Sequence, residues 1–292
     1  PLWFWKLALA GSAAIWGGAF VVVKDSLDSI SPAWLLVMRF TATTAILAVA
    51  FRSTLKAHLD ADHLRKGAVL GVFSGSAFLL QFVGLADTTP GKSAFLTATY
   101  CVIVPFLNWA IARRRPLAAH VVSAVLAVVG IAFISLGDGL AFSLTGGDAV
   151  TLACAVLFAL HIVYVARYAE GRDIMTLTIV QIGVSALIAL AWALVFEKAP
   201  GLASLGGGFW ISFAYLVLLS SCVSMVVQNV AQSIVEPATA ALLLSLESVF
   251  AVLFSVIFYH EQLTAHLVIG FALVFGAVIV SQVLPARTGG SR

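Results

Sequence analysis

Glu247 is the residue of this sequence best placed to do chemistry, because it is a carboxyl in the middle of an apolar run, Leu242-Leu-Leu-Ser-Leu-Glu-Ser-Val-Phe. A helix that starts at Pro237 carries it ~16 Å along its axis, close to the midplane of a bilayer. A carboxyl at that depth is costly, and such groups face a polar or water-filled interior. Two readings stay open: a functional carboxylate, or a structural carboxyl that is protonated or paired with a neighbouring helix. Arg39 is the expected counter-charge, ~10 Å into the second apolar segment. The alternative is an arginine that snorkels outward and supports packing. Tyr100 stands where an internal repeat puts Glu247: each lies ten residues past a proline, Pro90 and Pro237. It is either a cavity residue or an ordinary packing tyrosine.

Trp16, Phe20, Phe78, Gln81, His161 and Tyr164 are further cavity candidates, together with Ser245 beside Glu247. They sit near the middle of apolar segments, whereas Trp3, Trp5, Trp34 and Trp210 sit at segment ends, where aromatic residues anchor to the interface. Gln81 and His161 are expensive in lipid and should face protein or water. A bond from His161 to a backbone carbonyl is the competing reading.

The elements that position these residues follow from composition. The chain of 292 residues is 62% hydrophobic and 10% charged, where a soluble domain carries about a quarter charged residues. Ten segments are long enough to cross ~30 Å of hydrocarbon as helices. They run over 3–23, 31–51, 67–86, 89–112, 117–136, 147–168, 174–196, 208–232, 237–259 and 263–284. Alternating strands of about ten residues, as a barrel requires, are not seen. Numbering the loops alternately puts twelve Lys and Arg on one side (Lys6, Arg52, Lys56, Arg65, Lys66, Arg113, Arg114, Arg115, Arg167, Arg172, Arg287, Arg292) and three on the other (Lys24, Lys92, Lys198). The excess of basic residues marks the cytoplasmic side, so both termini are expected there, in the inner membrane. The net charge of +3 is therefore a topology signal and not a nucleic-acid footprint. The first segment has no cleavage motif and is expected to be an anchor; the missing initiator Met implies trimming.

The second half echoes the first. Leu117, Ala119, His120, Val122, Val128, Gly130 and Ser135 fall, at a shift of 146, on Leu263, Ala265, His266, Val268, Val274, Gly276 and Ser281. At a shift of 147, Pro90, Ala94 and Val102 fall on Pro237, Ala241 and Val249. A duplicated unit with an odd number of spans must be inserted upside down the second time. The expected architecture is all-α: ten transmembrane helices as two inverted five-helix repeats, 1–139 and 140–292, around a central cavity. Inverted repeats of this kind are how transporters build a midplane site and alternate its access.

Other signals are bland or negative. Gly67, Gly71 and Gly75 form a small-residue stripe that lets helices approach closely. Cys101, Cys154 and Cys222 lie inside spans and read as small apolar residues, not as a disulfide or metal set. Pro90-Gly91-Lys92-Ser93 ends like a P-loop but has Ala86 where the first glycine is needed. His260-Glu261 lacks the second histidine of a zinc peptidase at its spacing. No nucleotide motif implies no ATP drive, and no cofactor or metal is expected. A membrane-embedded enzyme would need acids or histidines clustered at one interface, so the chain is not expected to be one.

Trp16-Gly-Gly-Ala-Phe with Lys24, Arg39-Phe40, Leu246-Glu247 and His260-Glu261-Gln262-Leu263 followed by Gly270 and Gly276 resemble the signatures of EamA-like members of the drug/metabolite transporter superfamily. Within it the chain looks most like the YddG-type exporters of aromatic amino acids. The resemblance implies export or facilitated movement of small metabolites through a central cavity, with amino acids as the leading substrate class and nucleotide sugars, drugs and polyamines, which the superfamily also handles, as alternatives. Two departures stand out: Ser248 follows Glu247 where the family often has Pro, and the Arg113-Arg114-Arg115 run replaces an acidic position. An aromatic-rich cavity suits aromatic or bulky apolar side chains.

Overall fold

A computed structural model describes residues 1–112, 118–134, 145–201, 205–235, 237–258, 260 and 262–288. Arg113, Arg114, Arg115, Leu117, Ser135, Glu261 and Arg292 of the sequence reading lie outside the described residues. Every regular element among the described residues is helical: α1 Leu2–Ser26, α2 Pro32–Ala50, α3 Arg52–His58, α4 Ala61–Ala86, α5 Pro90–Ala98, α6 Tyr100–Ala112, α7 Ala118–Ile134, α8 Gly146–Tyr168, α9 Ile174–Phe196, α10 Gly207–Tyr215, a π-helical stretch Leu216–Val223, α11 Ser224–Gln232, α12 Pro237–Phe258 and α13 Ala265–Thr288. Among the described residues eight spans are long and apolar enough to cross a membrane. Val121–Phe133 and Ala265–Ala277 are shorter apolar helices, and they occupy the places of the fifth and tenth expected segments.

Local chemistry sets the helix ends. Pro32 and Pro90 open α2 and α5, positions where the missing N–H is not needed. Thr145 and Asp148 form a reciprocal capping box on α8. α4 starts at Ala61, six residues before the segment expected from hydropathy, because Asp60 accepts the His63 backbone N–H at 2.8 Å. That hydrogen bond holds the Asp60 carboxylate below its usual range.

Two spans depart locally from regular α-helix. The segment expected over 89–112 is one span, Pro90–Ile111, with a turn at Thr99, in right-handed helical geometry, between α5 and α6. The Thr99 hydroxyl donates to the Leu96 carbonyl at 2.6 Å, and Pro105 inside α6 has no N–H to continue the ladder. The span 207–232 passes through the π-helical stretch, where Ser224 Oγ donates to the Leu219 carbonyl at 3.0 Å. Such interruptions recur at functional sites.

Helices pack where small residues permit. A Cβ added to Gly67 would lie 2.7 Å from Val180 Cβ, one on Gly71 2.6 Å from Val184 Cβ, and one on Gly75 2.7 Å from Ser185 Cα, so the stripe seats α4 directly on α9. Gly17 brings α1 equally close to Phe250 and Ala251 of α12. Gly130 of α7 meets Gly270 and Val274 of α13.

Polar contacts gather at the two ends. At one end Lys24 Nζ donates to the carbonyls of Leu85 and Ala86 at 3.0 and 2.9 Å. There too, Lys92 pairs with the fully buried Asp148 at 2.7 Å, and Glu197 accepts from Ser31, Ala33 and Trp34 at the start of α2. At the opposite end Asp62 holds Lys66 and Arg172, and the Asp173 N–H points at His63. Lys24, Lys92 and the Glu197-Lys198 turn thus share one end, and Arg65, Lys66, Arg167 and Arg172 the other.

Candidate functional site

A cavity lies between these ends, enclosed by α1, α2, α4, α6, α8, α12 and the span around residues 216–232. It comprises ≈ 640 Å³ of atom-free space, counting the part open to solvent. Trp16, Phe20, Arg39, Phe78, Gln81, Tyr100, His161 and Glu247 all face it. Tyr164 and Ser245 do not. Tyr164, one turn beyond His161, packs on Phe73 and Tyr168 beside Leu70 and Leu177, and Ser245 spends its hydroxyl on the Leu242 carbonyl at 2.7 Å.

The aromatic wall is preset by edge-to-face contacts. Phe78 meets Phe158 at 5.0 Å and 87°, and Phe40 at 5.3 Å and 71°; Tyr100 meets Phe158 at 6.4 Å and 67°. Phe82 and Phe158 complete it. Neither drew notice in the sequence, because a phenylalanine in an apolar helix carries no signal of which way it points.

Arg39 is 1% exposed. Its Nε donates to Ser221 Oγ at 2.6 Å and its Nη2 to Ser220 Oγ at 2.9 Å, and its guanidinium stands 5.4–5.8 Å from the ring centroids of Phe40, Phe78 and Phe82. Trp16 Nε1 donates to the Ser220 backbone carbonyl at 2.7 Å. The π-helical stretch therefore serves both residues, with a hydroxyl pair for Arg39 and a carbonyl for Trp16. The sequence hint is Ser220-Ser221 inside the apolar run Tyr-Leu-Val-Leu-Leu-Ser-Ser-Cys-Val that starts at Tyr215.

The expected Arg39–Glu247 pair is not formed: no ion pair joins them. Two neutral hydroxyls, not a carboxylate, fix the guanidinium. Arg39 does not snorkel either, since it is buried and turned inward. Glu247, 5% exposed, has the Tyr100 phenol as its polar neighbour in the cavity. The expected bond from His161 to a backbone carbonyl is absent as well. Both ring nitrogens are buried without a hydrogen bond of good geometry, and the Gln181 amide is the polar group beside them. Gln181 accepts from Asn229 Nδ2 at 3.2 Å, and Gln81 Nε2 reaches Thr97 Oγ1 at 3.4 Å.

The cysteines Cys101, Cys154 and Cys222 are free, the first two buried. Among the described residues no group of His, Cys, Asp and Glu is arranged to hold a metal ion.

Comparison with known proteins agrees with this geometry. An uncharacterized transporter of Archaeoglobus fulgidus is 32% identical over 280 residues, 94% of this chain and 84% of that protein. The uncharacterized transporter YoaV of Bacillus subtilis is 20% identical over 272 residues, 92% of this chain and 93% of its own length. A protein crystal structure superposes with a TM-score of 0.70 at 17% identity, over 96% of this chain and 97% of that one, a likeness of fold. The sequence model of the EamA-like transporter family matches twice, over residues 3–136 and 145–282. The chain belongs to the EamA-like transporter family and is a multi-pass membrane transporter.

Proposed function

We propose that this transporter exports amino acids with aromatic or bulky apolar side chains across the inner membrane by alternating access. The observation that carries the reading is the cavity: Trp16, Phe20, Phe78, Phe82, Tyr100 and Phe158 stand in a largely apolar wall, and buried polar groups, Arg39, Gln81, His161 and Glu247, are set among them. Apolar walls reward burial of a large side chain, and a few fixed polar groups supply orientation.

The proposed frame is ten helices in two inverted halves, 1–139 and 140–292, with both termini in the cytoplasm. The twofold family match supports it. So does the pattern of helix contacts. A two-fold axis requires an element near it to meet its own mate, and α2 meets α9 while α7 meets α13. Contacts off the axis come in related pairs: α4 with α9 answers α2 with the π-helical stretch, and α4 with α8 answers α1 with α11. The tied end, where Lys24 holds α4 and Lys92 holds α8, is assigned to the outside by its scarcity of basic residues.

Uptake of radiolabelled amino acids into proteoliposomes, with and without an imposed pH gradient, tests the reading. Saturable flux of Phe, Trp or Tyr above that of Thr supports it, and dependence on the gradient separates proton-coupled from facilitated movement. Flux no greater than in protein-free vesicles for all four contradicts it.

A further inference from the structure

We infer that the cavity recognises a zwitterion, with Arg39 receiving the carboxylate of the bound molecule and Glu247 its ammonium. The inference deepens the proposed function and rests on it for the identity of the cavity as the substrate site.

Two ionisable side chains face one cavity from different helices, α2 and α12. Each is nearly or fully buried, and among the described residues neither has a protein counter-ion. Arg39 spends Nε and Nη2 on serine hydroxyls; among the described residues nothing accepts from its Nη1. Glu247 has only the neutral Tyr100 phenol. Neutral hydrogen bonds hold a buried charge in place without cancelling it, and a buried charge with no partner is strongly unfavourable. A purely apolar ligand would give neither group an ionic partner. A simple amine would answer Glu247 and leave Arg39, and a simple acid would do the reverse. A molecule bearing both groups answers both, and the guanidinium fork suits a carboxylate in particular. The surrounding rings of Trp16, Phe78, Tyr100 and Phe158 then receive its side chain.

Three ligands that share one ring and chain but differ in charge decide the matter: phenylalanine, phenethylamine, which lacks the carboxylate, and 3-phenylpropionate, which lacks the ammonium. Apparent affinity is read from the unfolding midpoint of the purified protein in detergent against ligand concentration. Phenylalanine should bind at least about tenfold more tightly than either analogue. In Glu247→Gln, its advantage over 3-phenylpropionate should shrink to about threefold or less while its advantage over phenethylamine persists. Comparable binding of all three ligands to the wild type, or no binding by any, overturns the inference, and it does so even where Glu247→Gln fails to fold. Flux of phenylalanine in proteoliposomes scores the transport reading separately. Selective binding without flux removes that reading and keeps the zwitterion site; flux without selectivity does the opposite.

Discussion

Tyr100 and Glu247 face the same cavity from α6 and α12, each ten residues beyond a proline that opens a span, Pro90 and Pro237. Positions matched by the internal repeat therefore share one site, as positions near a two-fold axis should, but one is aromatic and the other acidic. Tyr100→Phe removes the hydroxyl beside Glu247 and keeps the ring; Tyr100→Ala removes both. Aromatic pairs contribute ~0.5–1.5 kcal/mol beyond area burial, so Tyr100→Ala should lower phenylalanine flux by about two- to tenfold more than threonine flux. Tyr100→Phe should keep the preference for aromatic substrates. Equal losses for both substrates in Tyr100→Ala would mark a folding defect.

Arg39 and Glu247 line one cavity without pairing, so their contributions to stability should be separable. In a double-mutant cycle of Arg39→Leu and Glu247→Leu, followed by thermal unfolding in detergent, the coupling should stay within ~0.5 kcal/mol. A coupling of about 2 kcal/mol or more, the behaviour of a buried pair losing one partner, would contradict the unpaired arrangement.

Hydropathy made the long spans legible, and depth within a span pointed to Trp16, Phe78, Gln81, Tyr100, His161 and Glu247. Direction was not legible. These helices face lipid on one side and an apolar core on the other, so the polar and apolar periodicity that orients a soluble helix is absent. Tyr164 illustrates the failure: three residues after His161 on α8, it turns to Phe73 and Tyr168 instead of the cavity. Arg39 illustrates another. Depth made a pair with Glu247 geometrically allowed, but the choice of Ser220 and Ser221 depends on a π-helical stretch that hydrogen-bond geometry creates and composition does not announce.

Gly17 and Gly11 lie on the same helix and should respond oppositely to alanine. A Cβ at Gly17 would come within 2.5 Å of Phe250 Cβ and 2.9 Å of the Glu247 carbonyl oxygen, whereas one at Gly11 meets nothing within 4 Å. Gly17→Ala forces α1 and α12 apart and should destabilise by ~1–3 kcal/mol, with reduced flux because Glu247 rides on α12. Gly11→Ala should be neutral or stabilising by up to ~1 kcal/mol. Unfolding midpoints in detergent compare them, and equal effects would contradict the close α1–α12 contact.

The proposed orientation can be read from single cysteines in a background without Cys101, Cys154 and Cys222. Lys198→Cys, exposed at the tied end, should react with an impermeant thiol reagent added outside intact cells. Glu170→Cys, exposed at the opposite end, should react only after the membrane is opened. The reverse pattern would invert the topology.

The most direct test of the account is counterflow of radiolabelled phenylalanine in proteoliposomes, wild type against Glu247→Gln. The substitution keeps the side chain's shape and removes its ability to ionise, and among the described residues no cation loses an ion-pair partner by it. Saturable counterflow is expected in the wild type, with a loss of at least about tenfold in Glu247→Gln and unfolding midpoints that stay close to one another. Undiminished counterflow in a well-folded Glu247→Gln protein would contradict the claim that this carboxylate acts on the transported molecule.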